Sequence, residues 1–334
     1  MTLELALGSV LLIALVVYAL SGGADYGGGM WDLLASGPRA RRQRSAIEHE
    51  IGPIWEANHV WLILVVVVLF TAFPPAFATV MTALHIPMTA VLIGIVLRGS
   101  AFVFRKYDAQ DDAVHRRWST LFGAASFFTP FLLGLALGAL GSGEIRVIDG
   151  RLTSGFFAGW TRPFAAACGL FALGLFAFLA ATYLTVDVED KPDLQEDFRA
   201  RALAAGVLLA PLAALTFLLA RGGAPLIFAR LTSWWSPILL TITSVCAIGA
   251  LAALWRRRFR WARAAAIGQV TCILLGWGFA HYPFLVVPDL TLTNTTTSPA
   301  TQRLLTWALA AGAVVLLPSF AYLLYVFKGR PASR

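Results

Sequence analysis

The sequence predicts an all-α, polytopic integral membrane protein, and three observations carry that prediction. Of 334 residues, 58% are hydrophobic and only 13% charged, against roughly 45–50% apolar and about 25% charged in a soluble domain. With a mean hydropathy of +0.74, the chain has too little polar surface to cover a water-soluble fold of its size. The apolar residues fall in nine runs, each near the ~20 residues needed to cross about 30 Å of hydrocarbon. The basic residues gather in short clusters between alternate runs, as membrane topology produces.

The predicted spans are 3–21, 58–76, 79–103, 120–141, 162–186, 202–220, 236–254, 262–282 and 304–327, in a single transmembrane domain over 1–334. The first, MTLELALGSVLLIALVVYAL, lacks the basic stretch of a cleavable signal peptide and reads as a retained span. Pro74 and Pro75 stop the second span and turn the chain toward the third. Connections on one side carry 19 Lys and Arg and those on the other carry six, Arg98 inside the third span being the last of the 26. That asymmetry predicts the N-terminus outside and the C-terminus in the cytoplasm. The stretch VDVEDKPDLQED (186–197) reads as a solvated cytoplasmic loop, and PDLTLTNTTTSPATQ (288–302) as an external loop rich in turn formers. The net charge of +8 is dispersed in the short clusters and forms no long basic face, which argues against a nucleic-acid partner. Cys168, Cys246 and Cys272 lie in apolar stretches without CxxC spacing and read as small buried hydrophobes.

Polar groups at membrane depth are costly and therefore mark pairing or function. The segment SGGADYGGGMWD (21–32) sets Asp25 and Tyr26 among five glycines, Gly22, Gly23, Gly27, Gly28 and Gly29. The Gly23-to-Gly27 spacing suits close helix contact, while a frayed helix end with a solvated Asp25 is the structural alternative. In EHEIGPIWEANHVW (48–61), Glu56 and His59 are three apart and share a helix face. They form either a proton relay or an interfacial ion pair. Arg98, in VLIGIVLRGSAF, lies within the third span and needs an anion unless it snorkels to the surface. Topology puts Asp25, Glu56 and Arg98 on one side of the membrane, predicting a hydrated cytoplasmic cluster made by the first three helices. Burial would raise the carboxylate pKa values, and Arg98 would lower them. His85 and His281 share a depth near the outer face, so two-histidine haem ligation is geometrically allowed. A metal site of zinc type, a nucleotide loop and a hydrolase nucleophile have no counterpart in the motifs. Read by themselves, these residues leave open a secondary transporter and a haem-bearing membrane electron carrier.

The segments GGADYGGGMWDLL, IGPIWEANHVWLI with FTAFPPAF, VLRGSAFVFR and HYPFLVVPDLTLTNTTTSP occur in order between about residues 20 and 310. In that succession they resemble subunit II of the cytochrome bd quinol oxidases, and WEANHVW looks closest to the cyanide-insensitive branch. The resemblance implies two four-helix bundles plus one peripheral helix, in the bacterial cytoplasmic (inner) membrane. It implies a heterodimer with a subunit I that carries two haems b, one haem d and the quinol site. This chain would then ligate no haem or other metal, stabilise subunit I, and line a cytoplasmic proton-uptake route for reduction of dioxygen to water. A small accessory subunit, membrane lipids and a structural quinone are further expected partners. By resemblance Glu56 stands where the family commonly has Asp in a Trp-Asp-x-Asn motif, and His59 where other members can have an amide. Asp25 matches the acid of the first-helix glycine motif, and Arg98 the arginine near the end of the third span.

Overall fold

A computed structural model describes residues 2–51, 55–107 and 112–328, without the side chains of 51–56, 106–116, 324, 327 and 328. The fold is helical throughout, with two short hairpins. Among the described residues, eight helices are long and apolar enough to span a membrane, or nine if one bent pair counts as a span.

Helix α1 (Leu3–Leu33) is the axis of the fold and packs against α3 (Trp55–Ala72), α6 (Asp112–Gly141), α7 (Pro163–Asp187) and α11 (Phe259–His281). It continues well past the predicted end at Ser21, straight through the glycine cluster to Leu33. Glycine in a helix costs about 1 kcal/mol relative to alanine because it frees the backbone. Here neighbouring helices close in on that backbone and cover it. A Cβ at Gly23 would meet the Phe176 ring of α7 at 2.6 Å, and one at Gly27 would overlap the Phe176 carbonyl and meet the Ala180 Cβ at 2.7 Å. On another face, a Cβ at Gly29 would strike Ser126 and Phe122 of α6. The Trp31 indole N–H donates to the Ala177 carbonyl at 2.8 Å, fixing α1 against α7 further along.

The second and third predicted spans are corrected at their junction. Helix α3 ends at Ala72, and the short α4 (Pro74–Ala83) leaves it at 118°. The third spanning helix, α5 (His85–Tyr107), begins only after it. Prolines stop a preceding helix but are well suited to the first turn of a new one, where no N–H is required. Pro74 and Pro75 therefore start α4 as well as ending α3. Helix α8 (Pro192–Gly223) leads to α9 (Pro225–Leu231), then α10 (Ser236–Trp255) and α11, and α12 (Pro299–Lys328) lies at the periphery with none of its apolar window buried.

At the end of the bundle where α1 finishes, α2 (Ala40–Ile51) lies across the helix termini, burying Ala46 and Ile47 with Phe102, Phe122, Leu184 and Phe198. Arg44 of α2 donates to the Asp32 and Ala35 carbonyls at 3.2 and 3.0 Å, satisfying the open end of α1. The stretch 186–197 is not a free loop: Pro192 opens α8, and Asp197 accepts from Arg39 at 2.8 Å and from Gln43 at 2.7 Å. Asp193 pairs with Arg42. At the opposite end two hairpins, β1 (Val147–Ile148) with β2 (Arg151–Leu152) and β3 (Phe284–Val286) with β4 (Leu290–Thr291), close the bundle. They are joined through Arg146 and Asp289 at 2.9 Å.

Close approach at Gly27 yields a first prediction. Gly27→Ala should lower stability by about 1–3 kcal/mol, the cost of overpacking a filled interface. Gly249→Ala on α10, where an added Cβ meets nothing within 4 Å, should be neutral or stabilising by up to ~1 kcal/mol. Thermal unfolding of the purified complex carrying each variant checks the contrast.

Candidate functional site

The site is organised by charges that apolar helices carry inward. Asp25 projects from the glycine-rich part of α1, and Arg98 reaches it from α5. The Arg98 Nη1 donates to Asp25 Oδ2 at 2.9 Å and Nη2 to Oδ1 at 2.6 Å. Nη2 also donates to the Asp25 carbonyl at 3.2 Å, and Nε to the Ser126 hydroxyl at 3.0 Å. Ser126 in turn donates to the Phe122 carbonyl one helical turn back. All three guanidinium nitrogens are thus bonded, two of them in the paired geometry that makes arginine–carboxylate contacts strong. The guanidinium carbon lies 4.7 Å from the Tyr26 ring centroid and 4.8 Å from that of Phe122.

Side-chain exposure of 2% for Arg98 and 3% for Asp25 decides between the two readings of this arginine. It is paired inside the bundle and does not snorkel. The expected cluster of the first three helices gains a further element. The pair is enclosed by protein, and α6, the fourth long helix in the chain, supplies Ser126 and Phe122. Only a polar residue at Ser126's depth in α6 hinted at that contribution.

A second rung lies seven residues further along both helices. Asp32 accepts from Arg105 Nη1 at 2.9 Å, with side chains 1% and 2% exposed. Glu48 of α2 lies 3.5 Å from Arg105 Nη2. The Phe122 ring serves both rungs, with the Arg105 guanidinium 5.1 Å from its centroid. Seven residues are about two helical turns, roughly 10.5 Å along an axis, so the 25/32 and 98/105 spacings generate a ladder. Reading Arg105 as a residue beyond the span hid this rung, although the matched spacing was a usable signal. The second rung is less completely satisfied than the first: Asp32 Oδ1 and Arg105 Nε are buried without a hydrogen-bond partner among the described residues.

His59 of α3 stands edge-on to two tyrosines of α1, its ring centroid 6.5 Å from Tyr18 and 6.4 Å from Tyr26. The Tyr18 hydroxyl donates to the Tyr26 hydroxyl at 3.3 Å. Tyr26 therefore separates His59 from Arg98. The side chain of Glu56 lies outside the described residues. Gly23 and Gly27 lie on the α1 face that meets α7. A cavity of about 260 Å³ opens beside Asp25, bounded by Glu50, Asn58, Tyr183, Asp187 and Arg263 among others. Arg263 donates to Asp187 at 3.1 Å across its wall. Asn58 is buried, and its side-chain nitrogen has no hydrogen-bond partner among the described residues.

His85 and His281 have different neighbours. His85 is exposed, bonded through Nδ1 to the Thr82 carbonyl at 2.9 Å, and packs on Phe156. His281 is buried against Trp277, whose carbonyl lies 3.0 Å from its Nδ1, and its Nε2 faces Gly141. Among the described residues, no group of three or more His, Cys, Asp or Glu could hold a metal ion.

A multi-span helical membrane protein with an internal charge ladder, a cavity bordered by acids, and hairpins at its far end is the class of protein that these features define. The family model for cytochrome bd terminal oxidase subunit II matches residues 3–327, and the chain belongs to that family. It is a subunit of a terminal quinol oxidase in the respiratory chain of a bacterial inner membrane. It is 24% identical to a putative cytochrome bd menaquinol oxidase subunit II of Bacillus subtilis, over 97% of each chain. It is 26% identical to the cytochrome bd-I ubiquinol oxidase subunit 2 of Escherichia coli K12, over 92% of this chain and 88% of that one. Its fold is similar to a chain in the structure of the bd oxidase from Geobacillus thermodenitrificans, with a TM-score of 0.83 and 23% identity, covering 99% of this chain and 100% of that one. Family membership displaces the transporter and electron-carrier readings.

The ladder gives a second prediction. Arg98→Leu strands a buried carboxylate and should cost about 3–5 kcal/mol, read as loss of assembled complex and a lowered unfolding midpoint. Removing both charges, with Asp25→Asn added to Arg98→Leu, should restore most of the assembly, because the isolated charge is the larger penalty. A single variant with wild-type yield and midpoint would show that the pair contributes little.

Proposed function

We propose that this chain is the companion subunit that ligates no haem, clasps subunit I with its two haems b, haem d and quinol site, and lines a route for cytoplasmic protons. The N-terminus is outside and the C-terminus inside, a reading supported by the 19-to-six distribution of basic residues. The quinol reading for the partner draws on the menaquinol and ubiquinol oxidases named among the relatives.

The observation that carries the proton role is the cavity of about 260 Å³ beside Asp25. Three carboxylate residues, Asp25, Glu50 and Asp187, border it among largely apolar neighbours, and acids at such depth are costly unless used or paired. Asp25 has both carboxylate oxygens on Arg98. The ion pair holds Asp25 in a fixed position on the cavity wall. Glu56, which resemblance aligns with the acid of the family's Trp-Asp-x-Asn motif, is the titratable group assigned to this route. His59 and the Tyr18–Tyr26 hydroxyl pair continue the polar track into the bundle. The haems supply electron transfer and oxygen activation in the partner; the residues here admit and hold protons.

Glu56→Gln in the assembled oxidase should slow oxygen consumption by roughly 10²- to 10⁴-fold if it is the obligatory proton group, with haem content intact. The measurement is quinol-driven oxygen uptake across a pH series alongside the haem spectrum. Turnover matching the wild type at every pH would remove Glu56 from the route.

A further inference from the structure

The turn between α10 and α11 carries the sequence WRRRFRW (255–261), the densest basic run in the chain. We propose that this turn is a binding site for the phosphate-bearing headgroup of an anionic membrane phospholipid. Its charges exceed what the protein itself needs. Arg257 donates to Glu196 at 2.6 Å, and Arg260 lies 3.3 Å from Glu189. Arg199 donates to the same Glu196 at 2.9 Å and to the Leu254 and Trp255 carbonyls at the end of α10. Arg256 and Arg258 are exposed, and neither has a carboxylate partner among the described residues. Five arginines thus surround two glutamates.

Arg257, Arg258, Arg260 and Trp261 converge with Gln195 on a cavity of about 430 Å³. Glu189 is also on its wall and would repel an anion, but Arg260 stands against it. The backbone supplies a separate indication. Arg258 N–H bonds the Ala253 carbonyl at 2.8 Å and Arg257 N–H the Leu254 carbonyl at 3.2 Å, closing α10 in a Schellman turn. Its left-handed position, with φ +56°, is occupied by Arg257, where glycine would be free of strain. An arginine held in that conformation costs of order 1 kcal/mol, and with its side chain on Glu196 it is held on the cavity wall.

The occupant is a lipid rather than a soluble phosphate compound because of what flanks the arginines. Trp255 and Trp261 are each 72% exposed, and both stand at the ends of apolar membrane helices. Tryptophans so placed sit at headgroup level, and basic residues there attract anionic headgroups by about 1 kcal/mol each.

The test uses the intact oxidase complex in nanodiscs of phosphatidylcholine, with and without phosphatidylglycerol. Arg256→Gln with Arg258→Gln should weaken phosphatidylglycerol retention, followed by native mass spectrometry, by about 30-fold at ~1 kcal/mol per arginine. The corresponding Lys variants should retain it within a few-fold. A photoactivatable phosphatidylglycerol on the wild-type complex should cross-link within 255–261, a readout that does not depend on variant assembly. Cross-links confined elsewhere, or undiminished retention in the Gln variant, would overturn the proposal. Displacement of the lipid by inorganic phosphate at equal concentration would likewise overturn it, marking a site for the soluble anion.

Discussion

The bidentate contact between Arg98 and Asp25 is the constraint on which the rest of the structure depends. A lone guanidinium or carboxylate at this depth would be untenable, costing about 2.5–3.5 kcal/mol on insertion scales and more without partners. Both charges are tolerated because every Arg98 nitrogen is bonded and two aromatic rings cover the guanidinium. The pair fixes the rotation of α1 and α5 about their axes and requires α6 between them to present Ser126 and Phe122. Repetition of the contact at Asp32 and Arg105 extends the same registration by two turns.

The glycine segment of α1 is the other half of that arrangement. Its backbone must carry Asp25 inward while two helices approach closely enough that a side chain at Gly23, Gly27 or Gly29 would collide. Glycine alone weakens a helix; packed against α6 and α7, the segment keeps its hydrogen bonds and remains helical to Leu33. The cavity beside Asp25 therefore lies between closely packed helices, and its shape is set by their spacing.

Much of this was legible without coordinates. Charged residues stand out in an apolar background, so Asp25 and Arg98 were visible as a candidate pair, and Gly23 and Gly27 as a contact face. Arg105 and Asp32 were harder to see because each falls just past the end of an apolar run, where charge is ordinary. Ser126 carries too weak a signal among serines and threonines to be picked out. The helical course of residues 22–33 was obscured because propensity counts glycine as a breaker and cannot count the neighbours that cover it.

Composition by itself determined the solvent and the helical class, since lipid imposes a length and an apolar content on any crossing segment. The order of the motifs determined the family. Tertiary structure alone decided that Asp25 is clamped by Arg98, that α6 completes its shell, that α2 caps the end of α1, and that His85 and His281 face different neighbours. These outcomes depend on how helices rotate and approach one another, and residues dozens of positions apart in the chain meet only after that choice is made.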